Sequence, residues 1–454
     1  MPVAGPQNIK LKTLDPHFRL KTRNFEPETL NSILMTSRRG FIKSGGLALF
    51  GIGLGGVPSF IARAADSDKI ISPYKKKKVL VTIFQRGAMD GLMAVTPFTD
   101  EYLKAARPTL FMSAAKDQKG VPLIDLDGKF GLHPAMKAFE PFYTEKRLAI
   151  VHGIGSPNNT RSHFDAQDYM ESGTPFSKGT PSGWLNRAVG LLGHDATPFR
   201  AVSLTSSMPR SFYGDNPSVA ISNLQDFAIQ MKGNQMGASM ASKSFEELYD
   251  QTAPGLLKET GKESFDAVKM LQKADVKNYK PENNVVYPGS QLGNALKQIA
   301  QLIKMDVGLE VAFAESNGWD THFNQGAENG IFARNVADLS NSITAFWADL
   351  NAYQDDVTVM TMTEFGRTVK QNGTGGTDHG RASCNFILGN DVSGGIVHGN
   401  LQPLAIENLE DGRDLAVTTD FRSVFSEVAD KHLKINNDRL LFPDWTGKKV
   451  GVMR

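Results

Sequence analysis

The sequence predicts an α/β protein built on a largely parallel sheet, and three observations predict it. Its short β-branched runs are apolar throughout rather than alternating, as suits strands covered on both faces. Segments of helical period lie between those runs. The chemistry-bearing polar residues follow the ends of the runs, where an open α/β sheet places its ligand.

Taken in order, the expected strands cover residues 79–84, 148–151, 201–204, 309–314, 357–362 and 386–388, each bounded by turn residues. The expected helices cover 135–143, 164–171, 183–192, 292–305 and 333–353. The stretch 230–287 is polar and reads as helix with loops, an insertion over the sheet or a small cap. No internal repeat or low-complexity block interrupts the pattern, so no second globular domain is drawn.

Ahead of the first strand, Ser37-Arg38-Arg39-Gly40-Phe41-Ile42-Lys43 runs into a glycine-softened apolar stretch, residues 45–60, and then Ala62-Arg63-Ala64. A basic region, an apolar region and a small-x-small site in that order form an export signal. The adjacent arginines followed by Phe and Lys make it a twin-arginine signal, read by a translocase that carries folded proteins. Residues 1–64 are therefore expected to be a removable signal and residues 65–454 the mature domain, periplasmic or otherwise extracytoplasmic. The apolar stretch is short and rich in glycine for a membrane span, so no stable anchor is expected.

Of 454 residues, 40% are apolar and 22% charged, as in a soluble chain able to bury a large core. The net charge of +2 resides in the signal: residues 1–64 hold nine Lys/Arg against three Asp/Glu, so the remainder sits near −4. A mildly acidic domain has no reason to seek nucleic acid or anionic lipid. The single cysteine, Cys384, excludes an intramolecular disulfide and an iron–sulfur cluster. It precedes a strand and reads as a small buried residue. The same absence of cysteine clusters, with no Gly-x-Gly-x-x-Gly after a strand, argues against a redox enzyme.

Four loops after apolar runs carry one kind of chemistry. The first holds Arg86-Gly87-Ala88-Met89-Asp90-Gly91, and the second Arg161-Ser162-His163 opening a helix. The third holds Trp319-Asp320-Thr321-His322, and the fourth Glu364-Phe365-Gly366-Arg367, then Asp378-His379 after a glycine-rich turn. Imidazoles beside carboxylates are a ligand set for zinc or manganese, and His163, His322 and His379 each lie near an acidic residue. Ser162 reads equally as a helix N-cap or as a nucleophile favoured by the helix dipole. Arg86, Arg161, Arg367 and Arg381 are candidate anion forks. Asp320 and the Asp378-His379-Gly380 run also have ordinary readings as turn residues, and His398 is a further candidate late ligand.

Together with Arg107-Pro108-Thr109-Leu110, Leu132-His133-Pro134, Gly318-Trp319-Asp320-Thr321-His322, Thr363-Glu364-Phe365-Gly366-Arg367-Thr368 and Gly376-Thr377-Asp378-His379-Gly380, these segments resemble the bacterial domain-of-unknown-function family 1501 over nearly all of the mature chain. That family is similar to the alkaline phosphatase-like superfamily of phosphatases, sulfatases and phosphomutases. The resemblance implies a three-layer α/β/α sandwich, alkaline phosphatase-like, with one or two divalent metals at the strand ends. It implies Asp90, Asp320, His322, Glu364, Asp378, His379 and His163 as metal ligands, with the reverse assignment of Asp378 and His379 left open. Ser162 is the implied nucleophile, with Arg161, Arg86 and Arg367 holding an anion. The first motif departs from the family pattern at Ala88, where a second glycine is common. The activity so implied is metal-dependent hydrolysis of a small phosphate or sulfate ester. The rival is a non-catalytic extracytoplasmic scaffold with a structural metal.

Overall fold

Strand β1 (Val79–Gln85) is buried along its whole length. Val79, Val81 and Ile83 enter one apolar cluster while Leu80 and Phe84 enter another, as a central strand covered on both faces requires. The computed structural model describes residues 77–115, 120–193, 197–225 and 278–454. The expected export signal and most of the 230–287 stretch lie outside the described residues.

Along the chain β2 (Val95–Pro97), β3 (Ile124–Asp125) and β4 (Phe130–Leu132) form a small antiparallel sheet of their own. Then come β5 (Leu148–Gly155), α1 (His163–Ser172), α2 (Trp184–Leu191), β6 (Ala201–Ser203) and β7 (Val219–Ala220). After residue 278 follow α3 (Gln291–Lys304), β8 (Val311–Ser316), α4 (Ile331–Leu350) and β9 (Val357–Met362). A hairpin of β10 (Arg367–Gln371) and β11 (Thr377–His379) leads to β12 (Ser383–Leu388), β13 (Ile396–His398), β14 (Thr419–Asp420) and α5 (Phe421–Leu433).

The nine-stranded central sheet runs β13-β5-β12-β9-β1-β8-β6-β7, with β14 also paired to β5. Every pairing is parallel except those of β12, which runs against both β5 and β9. All six expected strands are present; the fourth begins two residues late, at Val311. Helices α3 and α4 cover one face and α2 and α5 the other, giving three layers.

Local chemistry accounts for these helices. Ser290 caps α3 by accepting from the Gly293 N–H at 3.0 Å, and Leu292, Leu296, Ile299 and Ile303 recur on its buried side. Asp420 caps α5 through the Arg422 N–H at 2.9 Å, and α1 stops at Gly173, which takes the left-handed φ of 70°. The expected helix at 135–143 is instead a 3-10 segment, Pro134–Phe139, followed by a short α-turn, Glu140–Thr144.

Strands β5, β9, β1 and β8 run in one direction, so their carboxyl ends share one edge of the sheet. The β10–β11 hairpin sits between the end of β9 and the start of β12 at that edge. No described helix is long and apolar enough to cross a membrane.

Candidate metal centre

Four of the sequence-predicted residues converge at this edge. His163, Asp320 and His379 bring one ligand atom each to within 4.8 Å of one another. His379 Nε2 is 3.0 Å from His163 Nε2, 2.9 Å from His322 Nε2 and 3.2 Å from Asp320 Oδ1. His322 Nε2 is 3.1 Å and His163 Nε2 3.5 Å from the same carboxylate. His163 opens α1, Asp320 and His322 lie in the loop after β8, and His379 ends β11.

The opposite nitrogen of each ring is tied outward. His163 Nδ1 meets Glu364 Oε1 at 2.8 Å, His322 Nδ1 meets Asp378 Oδ1 at 2.9 Å, and His379 Nδ1 meets the Arg161 carbonyl at 2.9 Å. A carboxylate or carbonyl only accepts, so each Nδ1 carries the proton and, in the neutral ring, each Nε2 presents a lone pair. Bare nitrogens 3 Å apart make no hydrogen bond with one another; they match the spacing of ligands around one cation.

Glu364 organises this arrangement from behind. Its buried Oε1 accepts from His163, from Gln167 Nε2 at 3.0 Å and from the Gly87 N–H at 2.8 Å. Burial alone would raise its pKa, but these bonds hold it below the ordinary carboxylate value. The Glu364 bond in turn raises His163, whereas burial and the neighbouring His163 lower His379. Burial acts to raise Asp320 as well, and Arg367 Nη1 at 2.9 Å brings it down overall.

Gly87 supplies the backbone fit. Its φ is +114°, and a Cβ there would stand 2.5 Å from the Asp320 nitrogen. The turn after β1 is thus pressed against the loop that carries Asp320 and His322.

Other predicted residues lie elsewhere. Asp90 was expected among the ligands; instead both its oxygens go to buried Arg107, at 2.8 and 3.1 Å, and one also to Gln325 at 2.7 Å. Arg107 in turn binds the Thr368 and Val369 carbonyls, so this pair pins β10 in place. Glu364 and Asp378 stand behind the histidines. Arg86 is held by Glu171, Glu315 and Gln167, and Arg161 by Asp414 at 2.8 Å and Asp411 at 2.7 Å. Arg381 pairs with Glu410, and His398 bonds the Ser393 carbonyl. Ser162 is at the N-cap of α1, exposed, with no side-chain cap bond. Arg367 is 1% exposed, yet its Nε and Nη2 have no hydrogen-bond partner.

Sequence reasoning passed over Gln167, the Arg161 carbonyl, Gln325 and Asp414. Gln167 was findable: it stands one helical turn after His163, on the same face of α1. A backbone acceptor leaves no signature in residue identity.

A family model described as "Protein of unknown function (DUF1501)" matches residues 77–441. The chain belongs to this family. The matched span includes all four converging residues and their outward partners. No curated protein matches the sequence. Among solved structures, the chain is similar to the alkaline phosphatase from the Antarctic bacterium TAB5, at 12% identity over 70% of this chain and 93% of that one, with a TM-score of 0.29.

Proposed function

We propose that this protein is an exported, metal-dependent hydrolase of a phosphate or sulfate ester. The observation that carries the reading is the grouping of His163, Asp320 and His379, with His322 Nε2 lying 3.1 Å from the Asp320 carboxylate, while every Nδ1 is tied outward. The donor set suits zinc or manganese. Two nitrogens each about 2.1 Å from one ion lie about 3.0 to 3.4 Å apart, depending on coordination angle; the separations here, 3.0 and 2.9 Å, stand at and just below the short end of that range. One ion rather than two is favoured, because Asp90 already has a cationic partner in Arg107. When bound, a divalent ion supplies a Lewis acid beside the ester.

The chain's own residues supply the rest. The buried Arg367 cation has two unpartnered N–H groups, and an anionic oxygen would make the stronger, charge-assisted bonds to them. Ser162, next to His163, has a hydroxyl that does not cap its helix and is free to act as the nucleophile. Of the two features that would favour a non-catalytic scaffold, a Ser162 turned to cap its helix is absent, whereas a single ion is what the ligand set suits.

Elemental analysis of the purified protein beside Asp320→Ala and His379→Ala tests the centre. The expected result is about one zinc or manganese per chain, lost in both variants. Ser162→Ala should keep its metal and lose hydrolysis of 4-nitrophenyl phosphate or sulfate by about 10³-fold or more. A wild-type protein that stays metal-free on titration with both ions would sink the reading.

A further inference from the structure

We propose that Asp414 is the positioning residue of His379, the imidazole that the other two rings face: its carboxylate gathers the two arginines that hold that histidine. This rests on the metal-centre reading above and concerns how the chain keeps one ligand in place. Arg161 holds His379 by its ring, because the Arg161 carbonyl accepts from Nδ1 at 2.9 Å. Arg413 holds it by its backbone, donating from Nη2 to the His379 carbonyl at 2.8 Å. Both arginines then end on one carboxylate. Asp414 Oδ2 accepts from Arg161 Nε at 2.8 Å and Nη2 at 2.5 Å, and Oδ1 accepts from Arg413 Nε at 3.1 Å.

Burial gives this junction its weight. The Asp414 side chain is 0% exposed, so its charge-assisted bonds are little screened by solvent. Asp411 also reaches Arg161 Nη2, at 2.7 Å, but is 64% exposed, where an ion pair contributes little. Residues 159–162 belong to no helix or strand, so no backbone ladder aims the Arg161 carbonyl, and the anchored side chain does so instead. Asp414 is fixed in its turn. Its backbone bridges to Thr368 on β10, and the Val369 N–H donates to the Arg413 carbonyl at 3.1 Å. Arg367 on β10 is paired with His379 on β11, so the carboxylate is tied to the hairpin that carries the ligand. Without it the two arginines lose their common partner and the Arg161 carbonyl is free to turn from Nδ1. Either ring nitrogen of His379 then carries the proton, and Nε2 no longer presents a lone pair in every molecule.

Proton–nitrogen correlation spectra of histidine-labelled, metal-free protein in alkaline buffer report the tautomer of each ring, with signals assigned from single histidine variants. In Asp414→Asn the His379 signals are expected to leave the Nδ1–H pattern while those of His163 and His322 keep it. Zinc affinity, measured by competition with a chelator, should fall about 10- to 100-fold. Asp411→Asn should change neither. Arg413→Ala removes one arm from a side chain that is 45% exposed, and it should move the His379 signals in the same direction even where Asp414→Asn does not fold. His379 signals that stay unchanged in Asp414→Asn, or in Arg413→Ala if the first variant is unfolded, overturn the proposal. So does an equal change in all three rings, which would make Asp414 a support of the fold alone. A wild-type protein that binds no zinc or manganese overturns the metal reading, and the ring tautomers still decide the role of Asp414.

Discussion

Glu364 meets the His163 ring at 2.8 Å, from a fully buried position with three donors on one oxygen. Its work is to fix which nitrogen of His163 carries the proton and where the ring points. Glu364→Gln keeps the shape but replaces the anion with a neutral amide. Outer partners of this kind are worth about 10- to 100-fold in metal affinity. Competition with a chelator should therefore show Glu364→Gln binding zinc weaker by that factor with its fold retained. Unchanged affinity would mean that the bond to Glu364 is packing alone.

At the scale of elements, the decisive contact is between the turn after β1 and the loop after β8. Gly87→Ala would force a side chain to a φ that disfavours it by about 1–3 kcal/mol and drive a Cβ into the Asp320 backbone. The expected outcome is a melting temperature lowered by several degrees together with weakened metal binding. Gly128→Ala is the control: its φ is also positive, at +79°, but a Cβ there meets nothing within 4 Å, so metal binding should be untouched. If both variants bind metal equally well, the Gly87 contact is not what places Asp320. Much of this level was legible in the sequence, because apolar runs and helical period depend on local spacing. The direction of β12 was not, since parallel and antiparallel strands buried on both faces read alike. Nor was α5 singled out, although Asp420 marks its start. The site was legible as a set of residue types. Asp90 and Arg107, seventeen positions apart, gave no sign that they would pair with each other and leave the cluster to others.

For the whole molecule, two imidazoles outside the centre set the response to acid. His152 Nε2 donates to the Val95 carbonyl while Nδ1 accepts the Gly153 N–H; His432 Nε2 donates to the Val79 carbonyl while Nδ1 accepts from Thr358. Each neutral ring is fully used, and a second proton would displace a donor. Burial pushes both pKa values from 6.5 down to about 4. The folded state thus binds protons less readily than the unfolded chain. The stability these residues contribute is present above pH 6.5 and is lost as pH falls from there to 4, by on the order of 3 kcal/mol each. Urea midpoints should fall across that window, and less steeply in His432→Gln. A flat profile would contradict the buried neutral assignment.

The separation of the ligands along the chain has a kinetic consequence. Residues 163 and 379 lie 216 positions apart, and their supports come from 87 and 364. No fragment ending before residue 379 has the imidazole that both other rings face. Any cation held there is captured after the long-range strand pairing is complete. It then acts as a latch that slows opening rather than as a nucleus that speeds closure.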